Sequence, residues 1–253
     1  MRSWRSILIT GGSSGLGAAL AQELAGTGVR LALTGQNQER LAEVASLCTA
    51  KGATVETAVL DVADKAEMAA FVAATDATAP LDLVVANAGI SAGTGKSAET
   101  AEQARRIFAV NVDGVVNTVA PILDAMAARG SGQVAIVSSL AGFRGLPGAP
   151  AYCASKAAVR VWGEALRADW GPRGVRVNVV CPGFVTTRMT ARNDFRMPLL
   201  MSAERAAAIV CDGLARDVGR IAFPRRMYAA SWLLAALPGF VLDPLLRRLP
   251  RKA

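Results

Sequence analysis

Thr10-Gly11-Gly12-Ser13-Ser14-Gly15-Leu16-Gly17 is the segment from which the fold of this chain is inferred. The residues from Arg5 to Thr10 lead into it as a short apolar run, typical of a strand buried in a parallel sheet. After it, Leu16, Leu20 and Leu24 recur at the four-residue spacing of an amphipathic helix. A glycine turn between a strand and a helix directs backbone N–H groups at a phosphate. The segment therefore predicts a dinucleotide site, with an ordinary strand-to-helix turn as the alternative.

Strands and helices are predicted to alternate along the rest of the 253 residues. The further strands are expected at residues 29–33, 54–60, 81–85, 133–138, 176–180 and 220–223. This order predicts an α/β fold in one domain, residues 1–253, with a doubly wound parallel sheet of the Rossmann type and helices on both faces.

Composition removes several classes of function. The chain has no histidine, which excludes catalytic triads and metal sites that depend on that residue, and its four cysteines have no metal-ligand spacing, so no metal is expected. Despite a net charge of +8, the basic residues lack interleaved aromatics and 52% of residues are hydrophobic, which argues against nucleic acid as a partner. Only Ile7-Leu8-Ile9 is apolar at the start, too short for a signal peptide, so a cytoplasmic protein is expected.

Tyr152 and Lys156 carry the first sign of acid/base chemistry. They are four residues apart, on one face of a helix predicted from residue 151 to 170. An ammonium group lowers the pKa of a neighbouring phenol from its ordinary value of about 10. Ser139, thirteen residues before Tyr152, could hold a substrate oxygen while the phenol exchanges a proton with it. Taken singly, an exposed helix pair and a turn serine are equally good explanations.

Two further positions suggest a ligand. Asn87-Ala88-Gly89 follows the predicted fourth strand, and carboxyl ends of parallel strands are where ligands bind. Asn111 lies in the middle of a helix predicted from about residue 98 to 129, where its amide competes with the backbone for hydrogen bonds. Such a position predicts a compensating contact.

Together these residues resemble the short-chain dehydrogenase/reductase family over about residues 5–190, in the family's order. The resemblance implies that Tyr152 is the catalytic acid/base and that Ser139 positions the substrate oxygen. It also implies that Lys156 lowers the pKa of Tyr152 and binds the nicotinamide ribose, and that Asn111 holds a proton-relaying water. Of the adjacent serines, the spacing to Tyr152 selects Ser139, and Ser138 is expected to close the strand.

The resemblance also implies the residues that bind the cofactor. They are Thr10, Gly11, Ser13, Ser14, Gly15, Leu16, Gly17, Gln36, Asn37, Arg40, Asp61, Val62, Asn87, Ala88, Gly89, Tyr152, Lys156, Pro182, Gly183, Val185 and Thr187. The second strand ends in Thr34-Gly35-Gln36-Asn37, without the carboxylate that would repel a 2′-phosphate, and Arg40 follows one turn later. NADP is therefore favoured over NAD, although many NADP-using relatives carry arginine where Gln36 stands.

Two segments are expected to shape the substrate end. Residues 184–201, rich in Met, Leu and Arg, predict an adaptable lid. Residues 224–253 replace the family's usual Asp-Gly-Gly ending with an apolar and basic extension that Pro238-Gly239 interrupts, so that it cannot span a membrane. It could cover the substrate cleft, form a subunit interface, or bind peripherally at the inner face of a membrane.

The predicted function is hydride transfer between NADP(H) and the carbonyl or secondary alcohol of an apolar, lipid-like small molecule. The family resemblance implies a homodimer or homotetramer. The alternatives are an NAD-dependent alcohol dehydrogenase and a non-catalytic protein that binds or senses the dinucleotide. Retention of Asn111, Ser139, Tyr152 and Lys156 argues against the last.

Overall fold

A parallel sheet forms the centre of the computed structural model, which describes residues 4–91, 99–192 and 197–246. Within that part of the chain the strands are β1 (Ser6–Ile9), β2 (Arg30–Gly35), β3 (Thr54–Val59), β4 (Leu83–Ala86), β5 (Gly132–Val137), β6 (Val175–Pro182) and β7 (Arg220–Phe223). Their order is β3-β2-β1-β4-β5-β6-β7, and every neighbouring pair is parallel. The predicted Rossmann-type fold is confirmed.

Helices cover both faces of the sheet. In the described residues the α-helices are α1 (Gly15–Leu24), α2 (Gln38–Ala50), α3 (Lys65–Thr78), α4 (Ala101–Phe108), α5 (Gly114–Ala128), α6 (Pro150–Trp170), α7 (Ala203–Ala215), α8 (Arg225–Ala236) and α9 (Gly239–Leu246). Helices α1, α2 and α7 pack on one face, and α3, α5 and α6 pack on the other. Strand β1 serves both cores, since Ile7 and Ile9 join the first and Leu8 the second.

The strand order places a crevice at the carboxyl ends of β1 and β4. The chain runs outward from β1 through β2 to β3 and then returns to the other side of β1 to form β4. Connections therefore leave β1 and β4 in opposite directions, and ligands bind at such a switch point.

The predicted helix of residues 98–129 contains one wider turn. Helix α4 ends at Phe108, a single π-helical segment occupies Ala109–Asp113, and α5 starts at Gly114. The segment widens the helix at the position of Asn111, the residue that predicted an irregularity. By length and hydropathy the combined helix Ala101–Ala128 could cross a membrane, but 56% of its apolar window is buried, as in a helix that packs against a sheet.

The C-terminal extension forms two helices where the sequence predicted only an apolar run. Met227 and Tyr228 on α8 pack against a short 3-10 helix, Leu140–Phe143, which follows Ser139. Residues 247–253 of the extension lie outside the described residues.

Candidate active site

A cleft of about 350 Å³ opens where the crevice was expected. The predicted residues that line it are Gly11, Ser13, Ser14, Gly15, Leu16, Gln36, Arg40, Asp61, Val62, Asn87, Ala88, Gly89, Ser139, Tyr152, Lys156, Pro182, Gly183, Val185 and Thr187. One cavity thus joins the glycine turn to the tyrosine and lysine of α6, which are 135 or more residues further along the chain.

Thr10 joins the ends of β1 and β4 but does not line the cleft. Its Oγ1 accepts hydrogen bonds from the backbone N–H groups of Asn87 (3.1 Å) and Ala88 (3.2 Å). The Asn87 amide donates in return to the Thr10 carbonyl at 2.9 Å and to the Gly11 carbonyl at 3.3 Å. The two loops that meet at the crevice are therefore fixed to one another.

The glycine turn is shaped for a close ligand. Gly15 has φ of +55°, and a Cβ there would lie 2.9 Å from Thr187 Cγ2. A Cβ on Gly17 would lie 2.3 Å from the Gly11 carbonyl oxygen. Gly17 therefore allows the turn to pack closely on α1, and Gly17 itself does not line the cleft. The Gly12 N–H donates to Thr34 O at 2.8 Å, which holds the turn against β2. This cradle lines the cleft at the N-terminus of α1, where backbone N–H groups can bind a pyrophosphate.

Charged side chains also line the cleft. Burial alone would raise the pKa of Asp61, but hydrogen bonds from the Ala63 N–H and from Arg106 hold it below its ordinary value. Asp61 accepts from Arg106 Nη2 at 2.7 Å. Arg40 also lines the cleft, and its Nε is buried with no hydrogen-bond partner among the described residues. Asn37 instead caps α2 by accepting from the Arg40 N–H at 2.9 Å, so it is structural and does not line the cleft.

Helix α6 carries the two reactive side chains into the other end. Pro150 begins the helix, Tyr152 lies in its first turn, and Lys156 lies one turn later. Lys156 Nζ is 6.0 Å from the centre of the Tyr152 ring and donates to Val137 O at 2.9 Å. Ser139 lies near enough to Tyr152 to lower the pKa of its hydroxyl by hydrogen bonding, and its Oγ also lies 3.5 Å from the Pro182 carbonyl oxygen. A phenol, a hydroxyl and an ammonium group therefore meet at one place, as the sequence predicted.

The pKa of Tyr152 is raised, which is opposite in direction to the expectation that Lys156 lowers it. Burial disfavours the phenolate, and the hydrogen bond with Ser139 offsets this only in part. Burial also lowers the pKa of Lys156 to about 8. The helical spacing correctly placed the two groups together, but desolvation is the largest cause of both pKa shifts.

Ser138 and Ser139 have different partners. Ser138 Oγ donates to the Lys156 carbonyl at 2.7 Å, so this hydroxyl fastens β5 to α6. Ser139 Oγ accepts from the Ala141 N–H at 3.1 Å and caps the short 3-10 helix. The choice of Ser139 from spacing agrees with its contact to Tyr152.

Asn111 is fully buried and does not line the cleft. Its side chain accepts from the Ile90 N–H at 2.8 Å and donates to Ile90 O at 2.9 Å and to Ser155 Oγ at 3.0 Å. Ser155 Oγ in turn donates to Tyr152 O at 2.8 Å. These bonds connect the loop after β4 to the first turn of α6, and they are the compensation that an asparagine within a helix requires. The proton-relay role of Asn111 stays a prediction.

Several lining residues were not predicted. They are Thr34, Gly35, Leu60, Ile90, Arg106, Val110, Val137, Ser138, Arg188, Met189 and Thr190. Arg188 to Thr190 were foreseen only as part of the predicted lid. The ends of that segment are joined by backbone hydrogen bonds from Thr186 to Met201 (2.8 Å) and from Met201 to Phe184 (3.0 Å). Its residues 193–196 lie outside the described residues, and the lid itself stays a prediction.

Comparison with known proteins agrees with this geometry. A family model described as short chain dehydrogenase matches residues 5–196. An uncharacterized oxidoreductase of Myxococcus xanthus (strain DK1622) is 40% identical over 248 residues, which cover 98% of each protein.

Two solved structures are also similar. A short-chain dehydrogenase from Sphingobium yanoikuyae in complex with NADPH has a TM-score of 0.82 and 26% identity, covering 97% of this chain and 96% of that one. A short chain dehydrogenase from Mycobacterium paratuberculosis bound to NAD has a TM-score of 0.76 and 27% identity, with coverages of 86% and 94%. The fold, the cleft and these matches together lead to one conclusion: the chain belongs to the short-chain dehydrogenase/reductase family of NAD(P)-dependent oxidoreductases.

Proposed function

We propose that this enzyme is an NADP(H)-preferring carbonyl reductase that reduces apolar ketones or aldehydes and also catalyses the reverse oxidation. One observation carries the proposal: Tyr152, Ser139 and Lys156 line the same cleft as the glycine turn. A substrate carbonyl and a dinucleotide could therefore be held in one cavity. By family membership, the active form is proposed to be a homodimer or homotetramer.

The cofactor would supply a hydride when bound, chemistry that no side chain of the protein can perform. Ser139 and Tyr152 would orient the substrate oxygen, and the Tyr152 hydroxyl would transfer its proton to that oxygen. Because the pKa of Tyr152 is raised, the phenol is protonated at neutral pH, as a proton donor must be. Lys156 in its ammonium form would stabilise the phenolate that remains. These properties favour reduction.

Arg40 supports a preference for NADP(H). Its side chain lines the cleft beyond β2, and the unpartnered Nε leaves a donor available to a phosphate. The nearby Gln36 is uncharged, whereas a carboxylate at this position would repel a 2′-phosphate. The similar structures do not decide between the cofactors, since one holds NADPH and the other NAD.

Apolar residues in the lining of the cleft support a hydrophobic substrate. Ile90, Val110 and Met189 line this cleft with the reactive groups. A pocket of this kind binds hydrocarbon by burying it, while a few polar groups fix its orientation. Methionine adapts its shape to irregular ligands.

Replacing Tyr152 by phenylalanine tests the mechanism. With NADPH and a panel of aliphatic and aromatic ketones and aldehydes, we expect kcat/KM of Tyr152→Phe to fall by about 10³-fold because the proton donor is gone. NADPH binding, followed by cofactor fluorescence, should be retained. The chain has two tyrosines, which makes Tyr228→Phe the matched control. That change removes only a hydrogen bond from Arg220 (3.0 Å) and should leave turnover unchanged.

Equal turnover by Tyr152→Phe and the wild type would contradict the proposed mechanism. Cofactor binding with no turnover by the wild type across the whole panel would instead support the alternative of a non-catalytic dinucleotide-binding protein.

A further inference from the structure

The outer face of helices α8 and α9 is exposed and apolar. Trp232 is 60% exposed, Leu233 58% and Phe240 82%, and Val241 is also exposed. None of these four residues lines the catalytic cleft. We call them the C-terminal apolar face. Covering the substrate is therefore not their role, which leaves a membrane or a second protein as the surface that they meet.

The fold holds this face in place from behind. Met227 and Tyr228 pack inward on the 3-10 helix after Ser139, and Leu242 on α9 is fully buried. Arg144 Nη1 also donates to Leu237 O at 3.4 Å. The exposed side chains therefore project from helices that are anchored to the rest of the molecule.

Basic residues share the exposed side of α8. Arg225 lies seven residues before Trp232, and Arg226 lies seven before Leu233, so each arginine is two turns from an apolar residue on the same side. Both arginines are exposed, and neither has an ion-pair partner within residues 4–91, 99–192 and 197–246. The first turn of α8 contains no acidic residue, although acidic groups are favoured at a helix N-terminus.

The sequence of the extension strengthens this charge. Residues 224–253 contain five Arg and one Lys against one Asp, so they carry five of the eight net positive charges of the chain. A twofold dimer through this face would bring the basic residues of both copies into one interface, and the repulsion between like charges opposes such an interface. An anionic surface is complementary to both features, since arginines bind its headgroups while Trp, Leu and Phe enter its apolar boundary.

We infer that the C-terminal apolar face, together with Arg225 and Arg226, binds the surface of an anionic phospholipid bilayer. The enzyme is then a peripheral membrane protein. The site lies beside the cleft, because a Cβ on Gly183, which lines the cleft, would lie 2.8 Å from Met227 Sδ on α8. The catalytic cleft would therefore be held close to the bilayer, the phase in which apolar ketones and aldehydes concentrate.

Co-sedimentation with vesicles tests the inference without any measurement of turnover. The full-length protein should sediment with phosphatidylcholine vesicles that contain phosphatidylglycerol, and much less with phosphatidylcholine alone. Added salt should weaken binding because it screens the arginines. The double variant Trp232→Glu/Phe240→Glu should lose binding. The double variant Arg225→Gln/Arg226→Gln should reduce the partition coefficient by about tenfold or more.

Matched controls lie on other surfaces. Leu47→Glu alters an exposed leucine on α2, and Lys65→Gln/Arg105→Gln removes two exposed charges from α3 and α4. Both should bind vesicles as the wild type does, and circular dichroism should show that every variant is folded. Absence of vesicle binding by the wild type would overturn the inference, as would binding that the α8–α9 variants leave unchanged. Sedimentation equilibrium in which Trp232→Glu/Phe240→Glu dissociates an oligomer that does not bind vesicles would assign the face to a second copy instead.

Discussion

The catalytic cleft has a nucleotide end, which contains the glycine turn, and a substrate end, which contains Ser139 and Tyr152. The two ends are built in different ways. At the nucleotide end, backbone groups at the ends of β1, β2 and β4 contact one another directly, as in the bonds from the Thr10 N–H to Val85 O (3.0 Å) and from the Gly12 N–H to Thr34 O (2.8 Å). At the substrate end, contacts between distant side chains hold the loop that follows Ser139. Phe143 in that loop lies between the guanidinium groups of Arg160 (4.6 Å) and Arg220 (5.5 Å), with the Tyr228 ring edge-on at 5.5 Å.

This difference explains why a short sequence motif predicts the nucleotide end of the cleft but not the substrate end. The turn at the nucleotide end has no room for side chains and therefore requires glycine. These glycines can be recognised in the local sequence. The substrate end depends on elements that meet only in the folded protein. Glu164 on α6, for example, accepts from Arg160 at 3.2 Å and from Arg220 on β7 at 3.0 Å. Substitutions at the two ends should therefore have unequal effects.

The largest effect is expected from replacing a glycine of the nucleotide end by alanine, compared with the same replacement at the substrate end. In Gly17→Ala the new Cβ would lie 2.3 Å from the Gly11 carbonyl oxygen, so the backbone of the turn must move. We expect a loss of about 3 kcal/mol in the free energy of unfolding, and loss of NADPH binding. Gly145→Ala, in the loop at the substrate end, meets no atom within 4 Å and should change stability by less than about 0.5 kcal/mol. Urea unfolding measures both, and equal losses would contradict the contrast.

A smaller effect, confined to one cofactor, is expected from Arg40→Gln. Removing the guanidinium should raise the Kd for NADPH by about 10- to 100-fold, because a charge-assisted contact with the 2′-phosphate is lost. The Kd for NADH should change by less than about twofold. Fluorescence titration of both cofactors measures this, with Arg105→Gln, which removes an exposed charge outside the cleft, as the control. If Arg40→Gln weakens both cofactors equally, Arg40 supports the fold of this end and does not recognise the phosphate.

A third effect, which appears only as a pH dependence of stability, concerns Lys156 at the end of the cleft that contains Tyr152. Its pKa in the folded protein is about 8, below the ordinary 10.5, so between these pH values the unfolded chain binds more protons. The free energy of unfolding of the wild type, relative to Lys156→Met, should therefore rise with pH from about 8 to 10.5 and be constant below that window. Contributions from Cys48, Cys153 and Cys211 are common to both proteins and cancel, whereas Cys181, which interacts with Lys156, is replaced by alanine in both proteins of the comparison. A difference that is flat across the window would show that Lys156 is not desolvated, and Lys65→Met serves as the exposed-lysine control.

The sequence predicted the sheet, the glycine turn and the meeting of Tyr152 with Ser139, because each depends on local spacing or on strand ends. It did not predict Arg106, which reaches Asp61 from α4 across 45 residues, since no local pattern encodes that approach. It also gave the wrong direction for the pKa of Tyr152. Helical spacing identifies neighbours, whereas burial arises from the whole fold.

The sequence indicated an irregularity of the helix at Asn111. It did not predict the hydrogen-bond partners of Asn111, because Ile90 belongs to a separate loop. The exposure of the C-terminal apolar face was equally beyond the sequence, since an apolar run does not reveal which of its sides packs inward.

The π-helical segment Ala109–Asp113 has a consequence for how this site tolerates insertion and deletion. A π turn contains one residue more than an α turn, and α4 and α5 run on either side of it as one continuous helix. Deleting a single residue there would restore a regular α-helix, with α4 and α5 keeping nearly their present faces because the wider turn absorbs the extra residue. The change would fall on the residues inside the segment, so Asn111 would lose the wider turn in which it meets Ile90 and Ser155. The length of this helix, and not only its residues, is therefore part of the site.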